Sequence, residues 1–61
     1  MVELSKKILT QVSFDAGLFQ KELMKAITWI QNAEELKTLK KWCISNFGKK
    51  FPKEINLAFA H

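Results

Sequence analysis

The 61-residue chain has no arginine, one cysteine, one histidine, one proline and two glycines. Each shortage removes a class of explanation. Without arginine no side chain can fork onto phosphate or read guanine edges in the preferred bidentate way, so contact with nucleic acid would rest on lysine and be non-specific. With Cys43 as the sole cysteine, no disulfide can close within the chain, and an unpaired thiol suits a reducing compartment. Cys43 and His61 are the only soft metal ligands, whereas a structural zinc site wants about four, so no metal is expected. Gly17 and Gly48 are isolated, and Gly48-Lys49-Lys50 lacks the further glycines and the Ser or Thr of a phosphate-binding loop. So few breakers, with no Asn-Gly type of hairpin dipeptide, point to helices joined by tight turns.

Long hydrophobic runs are missing too. Lys21, Glu22 and Lys25 interrupt the longest apolar region, well short of the roughly 18–20 apolar residues of a membrane span. The opening Met-Val-Glu-Leu-Ser-Lys-Lys has neither a long apolar core nor an Ala-x-Ala site, so no signal peptide is expected and the cytoplasm is the expected location. What is present is a globular composition: 48% apolar residues, including five Phe and two Trp, is too hydrophobic for a disordered chain. The length accommodates a single domain over residues 1–61. A core of this size rarely nets more than about 3–5 kcal/mol, and with disulfides and metal set aside, a binding partner is the remaining way to add stability.

The periodicity predicts an all-α compact bundle. A first clear helix, about 15–31, starts at Asp15 as N-cap, with Phe14 before it and Phe19 placed to form a hydrophobic staple. Phe19, Leu23, Ala26, Ile27 and Ile30 make its apolar stripe, widened by Leu18 and Trp29 on one edge and Met24 on the other. A second helix, about 32–47, opens on Asn32 with Glu35 three residues later and closes at Gly48 as a C′ glycine. Its stripe is Leu36, Leu39, Cys43 and Phe47, with Trp42 and Ile44 at the edges. The two helices are expected to form an antiparallel hairpin because only Gln31 and Asn32 separate them. A third helix, about 52–60, begins on Pro52, and Phe51, Ile55 and Phe59 share one of its faces. Residues 3–13 fit a fourth helix through Leu4, Ile8 and Val12, or a strand through the alternation of Ile8, Thr10, Val12 and Phe14. A strand would need a second copy to pair with, and the helix is the expectation. The expected core is Phe14, Phe19, Leu23, Ile27, Ile30, Leu36, Leu39, Cys43, Phe47, Ile55 and Phe59.

Charge is unevenly distributed. Residues 1–36 hold four lysines against five acids, Lys37, Lys40, Lys41, Lys49, Lys50 and Lys53 follow with no acid among them, and Glu54 brings the net charge to +4. Such a cluster can bind phosphate with a steep salt dependence. It also suits the negative end of a helix dipole and the solvated coat of a helix with no ligand at all. The two-residue connection between the first two helices is shorter than the turn of a helix-turn-helix.

Nothing in the chain is set up for catalysis. His61 lies at a terminus that cannot fix an imidazole, Cys43 falls on an apolar stripe where a thiol stays neutral, and no carboxylate pair is arranged for acid and base work. No cofactor or small-molecule substrate is implied. Trp29 and Trp42 flank their stripes, where each either seals the core or, with Leu18 and Met24, forms a contact surface. The expectation is a non-catalytic protein-interaction or self-association module using Leu18, Met24, Trp29 and Trp42, its partner being itself or a larger protein. The alternative is a basic nucleic-acid-binding accessory protein acting through the six lysines.

Overall fold

A computed structural model describes residues 2–60. It consists of four helices, α1 Val2–Gln11, α2 Ala16–Trp29, α3 Ala33–Phe47 and α4 Pro52–Ala58, with no strand among the described residues. The N-terminal segment is thus a helix. Ser5 and Leu9 stack one turn apart on its inner side while Lys7, midway between them, is exposed, which period-two alternation would not produce. Although no glycine ends α1, the Thr10 hydroxyl donates to the Lys6 carbonyl (2.8 Å) and the Ser13 hydroxyl to the Thr10 carbonyl (2.7 Å). The second of these bonds serves a carbonyl that the helix C-terminus leaves open.

The N-caps of α2 and α3 follow local chemistry. Asp15 Oδ1 accepts from the Leu18 N–H at 3.0 Å. Asn32 Oδ1 accepts from the N–H groups of Glu34 (2.8 Å) and Glu35 (3.2 Å), and both acids sit in the first turn, where the dipole favours them. Between the two helices the backbone is extended, with φ −82° and ψ 111° at Ile30 and φ −94° and ψ 122° at Asn32. Gly48 departs from expectation: it is right-handed, with φ −61° and ψ −29°, and serves as the C-cap of α3 rather than a left-handed C′ residue. Space explains the glycine there, because a Cβ would collide with the Ile44 carbonyl oxygen. The turn closes when the Phe51 N–H donates to the Phe47 carbonyl at 2.8 Å. Pro52 then opens α4, whose last helical residue is Ala58.

The packing order differs from a sequential bundle. α2 packs chiefly on α4 and also on α1, and α3 packs on α4 and α1, so the helices ring the core in the order α1, α2, α4, α3. The expected α2–α3 hairpin is therefore not formed: these neighbours in sequence lie diagonally across the core. The extended stretch from Ile30 to Asn32 sends α3 away from α2 instead of folding it back alongside.

Leu9, Phe19, Leu23, Leu39, Cys43, Ile55 and Ala58 are the deepest core residues, joined by Ala26, Ile30 and Phe51. Ile27, Leu36, Phe47 and Phe59 pack around them half-buried. One end of the core is aromatic. Phe19 lies 4.9 Å from Phe47 and 4.6 Å from Phe51 between ring centroids, and Trp42 meets Phe47 edge-on at 5.4 Å. Phe14, expected inside, is 76% exposed. It sits in the α1–α2 turn, and Phe19 packs instead against Phe51, which arrives from the α3–α4 turn. No described helix is long and apolar enough to cross a membrane.

Candidate interaction surface

Four residues of α2, Leu18, Glu22, Lys25 and Trp29, recur at spacings of four, three and four. At about 100° per residue they fall within an arc of about 60°, forming one stripe on the flank of the helix next to α1. Trp29 is 64% exposed and Leu18 41%. From the neighbouring helix, Leu4, half uncovered, and Ile8 face the same channel. Leu4, Ile8, Glu22, Lys25 and Trp29 line a groove of about 290 Å³ between α1 and α2, with Ser5 and Ala26 also lining it, while Leu18 lies on the same stripe outside it. Its polar component is the Glu22–Lys25 ion pair, 3.5 Å apart, with the Glu22 side chain largely covered and that of Lys25 largely free. Met24 lies further round α2, where it shares a shallow hollow with Lys21, Thr28 and the outer side of Trp29.

Trp42 is placed differently from the other three expected contact residues. It is half-buried against Phe47, and the Lys6 ammonium lies 5.9 Å from its ring centroid, so α1 covers what the sequence left open. Leu18 and Trp29 thus share a stripe, Met24 meets Trp29 in a separate hollow, and Trp42 belongs to the packing between α1 and α3. Leu4 and Ile8 were read in the sequence only as part of a helical spacing. Their signal is that Ser5 and Leu9 complete an inner face without them, leaving an apolar pair one turn apart on the flank.

The six lysines occupy the other edge of the ring. Lys37, Lys40 and Lys41 are exposed on the side of α3 that carries Ile44, while Lys49, Lys50 and Lys53 surround the α3–α4 turn. Lys37 and Gly48 are about 16 Å apart along the helix axis, so the six spread along an edge and do not converge on a point. The Lys40 ammonium lies 6.0 Å from the Phe59 ring centroid and that of Lys50 5.3 Å from Phe51. Among the described residues the ion pairs are Lys6–Glu3 and Lys25–Glu22, and neither involves this group. In the ring order given above, the α3–α4 edge lies opposite the α1–α2 edge.

Of the reactive groups, Cys43 is fully buried, and desolvation pushes its thiol up from 9.0 to about 12. A thiol held protonated in this way is a poor nucleophile at neutral pH. His61 lies outside the described residues. No group of three or more His, Cys, Asp or Glu able to hold a metal occurs among the described residues. The chain matches no family model, and neither the curated proteins nor the solved structures yield a match to it.

Proposed function

We propose that this protein is a non-catalytic interaction module whose contact surface is the α1–α2 edge around Trp29. The observation that carries the reading is the 64% exposure of Trp29 beside an apolar groove, on a molecule small enough that its other tryptophan is already needed for packing. An exposed tryptophan next to Leu4 and Ile8, with Leu18 about three turns away on the same stripe, is the composition of an interface centre, and the adjoining Glu22 and Lys25 supply a polar rim. The buried, protonated Cys43 favours a structural role for the thiol and fits a reducing, cytoplasmic setting. The test is a photo-crosslinking residue placed at Leu18 in cells, with Ser45 on the exposed side of α3 as control. The expected outcome is a covalent protein adduct from position 18 that disappears with Trp29→Ala, and none from position 45. Absence of any adduct at position 18 sinks the reading.

A second reading is non-specific nucleic-acid contact through Lys37, Lys40, Lys41, Lys49, Lys50 and Lys53. It draws on the lack of a carboxylate partner for any of the six among the described residues. Under it, Lys40→Glu combined with Lys41→Glu abolishes binding to a short duplex, and wild-type affinity falls steeply with salt. Wild-type protein that ignores DNA at low salt ends this alternative.

A further inference from the structure

We infer that the partner taken by the α1–α2 edge is a second copy of this chain, with the two α2 helices antiparallel about a two-fold axis that crosses the stripe at the level midway between Leu23 and Met24. The inference rests on the interaction reading above and names its partner. Its basis is the symmetry of the stripe. Measured along α2 from the midpoint between Leu23 and Met24, Glu22 and Lys25 lie one and a half residues to either side, and Leu18 and Trp29 five and a half. Reversing the helix therefore places Glu22 of one copy against Lys25 of the other and Leu18 against Trp29, twice over. An isologous interface needs this property, a patch complementary to itself.

An order of apolar, acidic, basic, apolar meets it in charge and in apolarity together. A stripe with two like charges at its centre would not. The exposures agree with such a use, since Leu18, Lys25 and Trp29 are all open while the Glu22 carboxylate is held at the groove wall by its own Lys25 at 3.5 Å. Close approach of a second copy lets each carboxylate bridge two ammonium groups. Trp29 and Leu4 both line the groove, and antiparallel pairing brings Leu18 of the second copy against Trp29.

The test is sedimentation velocity from micromolar to submillimolar concentration on four samples: the wild type, Glu22→Lys, Lys25→Glu, and an equimolar mixture of the two variants. Glu22→Lys puts two cations at each crossing point and Lys25→Glu two anions, so each variant alone is expected to stay monomeric where the wild type dimerises. In the mixture every crossing pair is again of opposite sign, and the expected result is a dimer containing one chain of each variant. Helix content by circular dichroism separates this outcome from misfolding, to which Glu22→Lys is more exposed than Lys25→Glu because the Glu22 side chain is largely covered. A wild type that stays monomeric throughout overturns the second copy as partner. A dimer that either variant leaves intact, or that mixing does not restore, overturns the antiparallel pairing. The crosslinking test distinguishes the levels: an adduct heavier or lighter than two chains would retain the contact surface and reject self-association, whereas no adduct would reject both.

Discussion

Trp29, on the α1–α2 edge, and Trp42, at the aromatic end of the core, occupy comparable flanks of their helices and meet opposite surroundings. Trp42 has Phe47 against its ring and the Lys6 ammonium over it, while Trp29 stands 64% exposed beside a groove. The aromatic end is closed because side chains from three places, α2, α3 and the α3–α4 turn, converge there in Phe19, Phe47 and Phe51. At the α1–α2 edge only two helices meet, and no loop crosses to cover them. An edge between two helices is thus left open, and a vertex where several elements meet becomes core.

That contrast can be broken most forcefully at its closed side. Phe19→Ala removes the ring on which Phe47 and Phe51 pack, with an expected loss of about 3–5 kcal/mol. This equals what a core of this size rarely exceeds, about 3–5 kcal/mol in total, so the variant should lack a cooperative urea transition. Trp42→Ala should cost about 2 kcal/mol, less than Phe19→Ala because the ring is only half-buried, and urea unfolding of dilute protein measures it. If Trp42→Ala leaves stability unchanged, the two tryptophans are not in different environments and the contrast fails.

The buried thiol sharpens the same point through pH. Between 9.0 and about 12 the unfolded chain releases the Cys43 proton and the folded chain keeps it. The contribution to stability is therefore fully present below about pH 9 and is lost as pH rises above it, by at most about 1.4 kcal/mol per pH unit. Comparing the wild type with Cys43→Ala isolates this slope from lysine titration. Equal slopes in the two proteins would mean that water reaches the sulfur. The smallest effect on the monomer is expected from Trp29→Ala, within about 0.5 kcal/mol, although the same change should remove any association through this edge.

The helix boundaries were legible because they are written locally. Asp15 and Asn32 each supply an oxygen to N–H groups two or three residues away, and Pro52 can open a helix but not continue one. The stripes through Leu23, Leu39, Cys43 and Ile55 were legible for the same reason, since periodicity fixes which side of a helix faces inward. Which helix lies opposite that side is not a local property. A short connection suggested that α2 and α3 pair, and the extended backbone from Ile30 to Asn32 defeats that inference. Phe14 departs on the same account: its spacing to Phe19 permits a staple, but Phe14 is exposed and Phe19 packs on Phe51, distant in sequence. Of the candidate surface, Leu18, Met24 and Trp29 could be read from α2 alone. Leu4 and Ile8 could not, because their exposure depends on where α1 docks.

The diagonal placement of α2 and α3 also bears on how the chain reaches this structure. The principal partner of α2 is α4, which follows it only after the whole of α3 has been made. A bundle of sequential hairpins can gain stability one turn at a time, each local closure rewarded before the next begins. Here the entropy of closing the long loop from α2 to α4 is spent before its contacts return. Folding should therefore be all-or-none, without a stable α2–α3 hairpin on the route, and slower than in a sequential bundle of equal length.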